Sequence, residues 1–538
     1  MISQQLLLTI FLPLVGAVGL WLAASAGRET ARIIALAVVL ATLFCASQLV
    51  VGFVKARGAQ EFAVTDAAWL TGGGAPIDVR FSVGLDGLGV WLFGLSALLF
   101  LTAILVSWEA ITDRAPLFYA MLLLLEFGCL GVFVASDIIL FYVFFEFTLI
   151  PLFFLIGIWG SEDRRHAAIK FFLFTLAGSL LTFLGLLAIV LWDYQNNGEH
   201  LMRFSIPALT RGLAAHPLPL NWQVIVFLAL FAGFAIKVPL FPFHTWLPLA
   251  HVQAPTAGSV ILAGILLKIG VYGFLRFSVP MLPEATALLV TPLLWLSVAG
   301  IVYGALVALA QSDMKKLIAY SSVSHLGFCT LGLFALNAMS VQGSALQLIN
   351  HGLSTGALFA MVGMIYERYH TRQIADLAGL TARMPTLAFF MVFFTFSSIG
   401  VPGLNGFAGE FLILLGTFQR AWSDSPAAIS PQLTTIAVLA VSGIVLGAWY
   451  MLWLVQRVFF GPLKEPHAGH HEIQDLSLRE ILALAPLAVF VVWIGIRPGD
   501  FLTPMQTAVE DARRPAAIAL DDLNQKTANR ETELARVR

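Results

Sequence analysis

Residues 233–255, GFAIKVPLFPFHTWLPLAHVQAP, start like the middle of a membrane helix and then depart from one. Lys237 lies inside the apolar run, Pro239 and Pro242 remove backbone donors just beyond it, and His244 and His251 stand where leucine would suit a lipid-facing span. A charge at the bilayer centre costs about 2.5–3.5 kcal/mol on insertion scales, so it tends to be paired and functional. Non-helical backbone at that depth is tolerated only where protein buries it or a watery cavity meets it. The stretch predicts an interrupted helix facing a polar interior.

The rest of the chain supports a membrane setting. Hydrophobic residues make up 59% and charged residues 11%, against about 25% charged in an average soluble domain. Apolar spans of roughly 17–25 residues, the length that crosses a bilayer as a helix, recur about 14 times. They fall near 5–25, 33–54, 88–107, 116–135, 138–159, 171–191, 222–243, 257–277, 286–310, 322–338, 343–366, 387–416, 433–460 and 480–496. The expected fold is therefore an all-α integral membrane protein. The first span lacks a preceding basic residue and is soon followed by another, which favours a membrane helix over a signal peptide. With the N-terminus outside, Lys and Arg favour the inner loops by about two to one, and an even span count puts the C-terminus outside as well. The charged tail 510–538 is expected to form a surface helix.

Several chemistries find no support. The glycine-rich VGLDGLG (83–89) and LTGGGAP (70–76) lack a strand-to-helix context and no G-K-[ST] occurs, so they read as turns. HAGHH (467–471) has neither cysteine nor an organised carboxylate beside it and reads as a solvated loop. Cys45, Cys129 and Cys329 sit in separate apolar spans, which suits buried small hydrophobes and no cysteine-ligated iron–sulfur cluster. Movement of something across the membrane is the function class that remains.

Ionisable residues at membrane depth are the candidates for that movement. Glu146 lies in DIILFYVFFEFTLIPLFF, Lys237 opens the broken span, Lys268 lies in SVILAGILLKIGVYGF, and Glu410 follows the glycine-broken SSIGVPGLNGFAGEF. His325 and His351 lie near the ends of two further spans. Glu126 in MLLLLEFG is as readily a packing residue, and Glu109 at an inner helix end suits a snorkelling carboxylate; both are proton-uptake candidates. Together the acids, lysines and histidines suit a proton relay. Five spans counted from about 116 and five from about 286 place the broken helix fourth in both sets, the pattern of inverted repeats. The expected divisions are 1–115, 116–277, 286–460 and 461–538.

At FYVFFEFTLIPLFFLIGIWG (141–160), AIKVPLFPFHTWLPLAHVQAPTAGSVILAGILLKIGVYGFLR (235–276), SDMKKLIAYSSVSHLGF (312–328) and GLNGFAGEFLIL (403–414), the chain resembles the antiporter-like subunits of proton-pumping NADH:quinone oxidoreductase, respiratory complex I, and among them subunit M. The resemblance covers about residues 80–460. It implies 14 transmembrane helices, two inverted five-helix repeats and a polar axis parallel to the membrane. It also implies the roles: Glu146 as the acid paired with Lys237, Lys268 as the central lysine, His325 and His351 on the axis, and Glu410 as the terminal acid. NADH, FMN, iron–sulfur clusters and quinone would sit on partner subunits, with no cofactor or metal in this chain. The implied partners are other membrane-arm subunits, including two antiporter-like sisters, and the lipid bilayer, with no nucleic acid. One departure is Leu249, where the family's loop usually carries aspartate. The alternatives are a cation/proton antiporter subunit of the same ancestry and a scaffold that merely links its neighbours.

Overall fold

The computed structural model describes residues 2–23, 27–56, 62–71, 76–423, 429–466 and 473–537, the last eight of these by backbone alone. Twelve of its helices are long and apolar enough to cross a bilayer, and two further apolar helices, Val90–Val106 and Pro385–Ser398, are shorter. Each span expected from the sequence falls on one of them.

Burial separates the centre from the rim. The best membrane windows of helix Ala338–Tyr369 and of the span Thr256–Met281 are 100% buried inside the protein, against 28% for helix Arg28–Lys55. A helix enclosed on all sides can carry polar groups on any face, because protein and not lipid receives them. These two central elements carry His351 and Lys268.

Both expected interruptions are present. Helix Leu220–Lys237 stops before Pro239, the chain turns through 238–245, and helix Trp246–Gln253 resumes. Helix Pro385–Ser398 is separated from Asn405–Trp422 by a turn in which Gly400 and Gly403 take φ of +72° and +92°, conformations that a Cβ would strain.

Two other breaks occur. Ile138–Phe147 and Leu149–Trp159 part at Thr148, where the ring of Pro151 opposes the carbonyl four residues earlier, that of Phe147. The central span contains π turns at Leu262–Leu266 and Phe274–Ser278, the first ending two residues before Lys268.

The all-α core has one addition. Strands Phe62–Thr71 and Ile77–Leu85 form an antiparallel hairpin at one membrane face, and Met202–Arg203 pairs in parallel with the second strand. Within this region the glycine-rich stretch at 70–76 lies partly outside the described residues, and HAGHH lies outside them altogether. On the hairpin face the terminal helix Gly499–Val537 buries Phe501, Met505, Val509, Ala512 and Ala516, a stripe at helical spacing. It is held by Trp91 Nε1 donating to the Phe501 carbonyl at 3.0 Å and Arg513 donating to the Leu336 carbonyl at 2.8 Å. The opposite face carries a cavity of about 1080 Å³ whose lining includes Glu109, Lys315, Glu367, Arg368, Arg372 and Glu480.

Candidate functional site

Four of the ionisable residues singled out from sequence meet in one connected group. Lys268, fully buried, places Nζ 2.7 Å from His351 Nδ1 and donates to the Ala263 carbonyl within the adjoining π turn. The His351 and His325 rings lie 5.7 Å apart, centre to centre. His325 Nδ1 is 3.0 Å from Glu410 Oε1, and its Nε2 lies 3.2 Å from Ser398 Oγ and 3.4 Å from the Tyr450 hydroxyl. A lysine, two imidazoles and a carboxylate thus stand in file, each able to exchange a proton.

The step between the two histidines is the longest in this file. A cavity of about 10 Å³ opens there, lined by both rings with Gln347, Asn350, Ser398 and Gly406 among others. That volume is about what one water needs, and the lining supplies the two to four polar partners that hold it. His351 Nε2 and Asn350 Oδ1 have no protein hydrogen-bond partner. The cavity therefore has room and polar lining for one water between the rings.

Neutral side chains fix the carboxylate end. Gln347 Nε2 donates to Glu410 Oε1 at 3.2 Å, and Asn350 Nδ2 donates to Gln347 Oε1 at 3.1 Å and to the Asn405 carbonyl at 2.8 Å. Ser397 Oγ donates to Asn405 Oδ1 at 2.6 Å and sits 2.6 Å from Ser354 Oγ. These bonds cross the second helix break and tie both of its ends to helix Ala338–Tyr369. The sequence reading missed all of these amides and hydroxyls; Asn350, directly before His351 in an apolar span, was the available signal.

The first half is arranged differently. Lys237, nearly fully buried, donates to Thr148 Oγ1 at 3.5 Å and lies 4.9 Å from the centre of the Phe145 ring. Thr148 marks the break in the Glu146 helix, so that break presents the hydroxyl to the lysine. Among the described residues no ion pair within 4.0 Å joins Lys237 to Glu146, whose Oε1 is buried without a hydrogen-bond partner. Glu126 is fully buried with both carboxyl oxygens unpartnered.

The remaining candidates stand apart. His251 is fully buried, stacks on Phe359 at 4.4 Å, and has no partner at either ring nitrogen. His244 lies among aromatic rings, 5.2 Å from Tyr303 and 6.3 Å from Tyr320, with Nδ1 unpartnered. Glu109 is an exposed carboxylate paired with Arg28 at 3.3 Å. Lys315, at the start of helix Met314–Phe334, is buried, lines the large cavity and donates to the Ala254 carbonyl at 2.6 Å. Leu249 is partly buried against the apolar core.

These features define a class: a polytopic membrane protein with two interrupted helices and a buried file of lysine, histidine and glutamate. A family profile described as "NADH:quinone oxidoreductase/Mrp antiporter, TM" matches residues 135–452. NADH-quinone oxidoreductase subunit M of Rhodobacter capsulatus is 43% identical over 502 residues, covering 92% of this chain and 94% of the relative. NADH-ubiquinone oxidoreductase chain 4 of Chondrus crispus is 41% identical over 93% of this chain and 95% of its own length. A chain in the structure of respiratory complex I from Thermus thermophilus with bound NADH superposes with a TM-score of 0.81 at 32% identity, covering 96% of this chain and 100% of that one. The chain belongs to the NADH:quinone oxidoreductase/Mrp antiporter family of membrane subunits.

Proposed function

We propose that the chain is a proton-translocating membrane-arm subunit of an NADH:quinone oxidoreductase, moving protons through its buried Glu, Lys and His while quinone is reduced in other subunits. One observation carries this reading: the polar file from Lys268 through His351 and His325 to Glu410, with a cavity the size of a water at its widest step. Side chains that only packed helices together would need no such file across four elements.

In this reading Glu146 and Lys237 form the first half-site, with His244 and His251 between it and Lys268. Glu109 and Glu126 are uptake candidates, and Lys315 joins them because it lines the large cavity. Residues 116–277 and 286–460 act as two inverted five-helix units, flanked by 1–115 and 461–538. The hairpin face is the outer side and holds both termini. NADH, FMN, iron–sulfur clusters and quinone belong to partner subunits, and the neighbours in the arm include two sister antiporter-like subunits. Leu249 leaves His244 and His251 without the carboxylate that the family loop usually provides.

The Mrp half of the family description supports a second reading, a cation/proton antiporter subunit. The two separate in one experiment. In vesicles holding the assembled complex, Lys268→Met lowers the ratio of protons moved to electrons transferred if the first reading holds. An unchanged ratio would refute it, and Na⁺-driven proton movement without NADH would favour the second.

A further inference from the structure

Beyond the file leading to Glu410, Lys268 has a second polar neighbourhood, along its own helix toward the hairpin face. Tyr272 follows one turn on, is buried, and lines a small cavity together with Ala345, Leu348 and Ile349 of helix Ala338–Tyr369, the helix that also carries His351. Arg276 follows another turn on and donates from Nε to the Tyr272 hydroxyl at 3.1 Å. Its Nη1 and Nη2 donate to Asp86 Oδ2 and Oδ1 at 2.5 and 2.9 Å. The same carboxylate accepts from the backbone amides of Leu88 and Gly89 at 3.1 and 2.9 Å. Asp86 and Arg276 line a cavity of about 570 Å³ at the hairpin face, and Tyr272 lines another of about 10 Å³ beneath it.

We infer that the Arg276–Asp86 pair is a proton seal at the hairpin-face end of the Lys268 helix, which forces protons on Lys268 to leave along the membrane plane toward Glu410. The chemistry is specific to arginine. A guanidinium offers five donors and no acceptor, and it does not deprotonate in proteins. A proton reaching Tyr272 from Lys268 finds its outward neighbour unable to accept it. A proton arriving from the cavity meets a fixed positive charge, the arrangement that excludes protons in narrow pores. Asp86 is no alternative carrier, because two guanidinium bonds and two backbone amides already engage it as a carboxylate. The terminal helix completes the closure: Met505 lines the small cavity, and a Cβ on Gly87 would overlap the Pro504 carbonyl and Ala508.

The inference rests on Lys268 being a proton carrier, and its test is read with electron transfer switched off. Vesicles holding the assembled complex receive an imposed pH gradient without NADH, and an internal pH dye follows the decay. Replacing both partners, as Asp86→Asn with Arg276→Gln, removes the charge without leaving one ion buried alone. The expected result is a decay at least several-fold faster than wild type at equal amounts of complex, returned to the wild-type rate by adding Lys268→Met. A decay equal to wild type overturns the seal, and so does an extra leak that survives Lys268→Met. Tyr272→Phe decides the matter if the double variant does not assemble. A seal leaves its proton-to-electron ratio unchanged, whereas a lowered ratio makes Tyr272 a conductor and overturns the proposal. Failure of the translocation reading itself shows elsewhere, as a normal ratio in Lys268→Met alone.

Discussion

Replacing Glu410 by glutamine tests the far end of the file while leaving its shape in place. Glu410 Oε1 accepts from Gln347 Nε2 at 3.2 Å and lies 3.0 Å from His325 Nδ1. An amide oxygen in the same position accepts both bonds, so the effect on folding should stay within about 1 kcal/mol, the net value of one exchanged hydrogen bond. The charge is another matter. At 3.0 Å a carboxylate attracts an imidazolium by about 5 kcal/mol at an effective dielectric of 20. Burial offsets much of that attraction. If only about 2 kcal/mol survives, a proton step through His325 slows by roughly 30-fold when the carboxylate is removed. Glu410→Gln should therefore assemble in normal amounts, oxidise NADH through the partner subunits, and move fewer protons per electron. The assay is acidification of inverted vesicles measured beside NADH consumption. Assembled complex with an unchanged ratio would falsify the role given to Glu410.

Glu146→Gln and Lys237→Met, each close in size to the original residue, should both suppress pumping in assembled complex, while Glu146→Asp retains part of it; a normal ratio in Lys237→Met would make Lys237 a structural ion. Gly406→Ala should lower the yield and unfolding temperature of the complex by about 1–3 kcal/mol equivalent, because its Cβ would overlap the Ser397 carbonyl at the second helix break; an unaltered thermal profile would show that the break can relax. Asp475, outside the membrane, caps helix Pro385–Ser398 by accepting from the Thr386 and Leu387 amides at 2.7 and 3.1 Å. Burial raises its proton affinity, but the amides of Thr386, Leu476 and Leu387 outweigh that and hold the carboxyl below its ordinary value. Its stabilisation, about 1 kcal/mol, is therefore complete above about pH 3.9 and is lost as pH falls through the folded-state value. Asp475→Asn should lower the unfolding temperature at pH 7, with the gap to wild type closing below about pH 4; a gap independent of pH would remove the charge from the account.

The interrupted helices were legible because proline and glycine act on the backbone wherever they stand. Pro239 and Pro242 forbid a continuous helix, and Gly400 and Gly403 supply the left-handed turn at the second break. The break at Thr148 had its signal too, in Pro151 three residues on, but the apolar run around it reads as one uninterrupted span. The π turns beside Lys268 carry no such mark. They depend on what packs against the helix, and residue identity alone does not encode that. Among the site residues, charge made Lys268 and Glu410 conspicuous, whereas Gln347, Asn350 and Asn405 were passed over because neutral amides are common between membrane helices. Lys315 gave no signal of burial in the sequence, because a lysine at a span end reads as a loop charge, while here the chain buries it and its Nζ donates to the Ala254 carbonyl.

The two halves differ in a way that bears on direction. In the second half the acid is engaged: Glu410 Oε1 lies 3.0 Å from His325 Nδ1, and Lys268 Nζ lies 2.7 Å from His351 Nδ1. In the first half the acid makes no ion pair within 4.0 Å among the described residues: Lys237 turns to Thr148 and Phe145, and Glu146 keeps one unpartnered buried oxygen. Were Glu146 to close on Lys237 at about 4 Å, the pair would gain on the order of 4 kcal/mol at an effective dielectric of 20. A relay whose two acid contacts are both closed would hold its protons, and one with both open would lose them to either side. In the proposed relay the open contact leaves Lys237 beside a neutral hydroxyl and a ring, while His325 faces a carboxylate. The turn at 238–245 lacks continuous helical hydrogen bonding, whereas the turn at 399–404 is tied at both ends to helix Ala338–Tyr369 through Ser397, Asn405, Ser354 and Asn350. A movement confined to the turn at 238–245 would, in the proposed relay, change the Glu146–Lys237 separation and leave Lys268, His351, His325 and Glu410 in place.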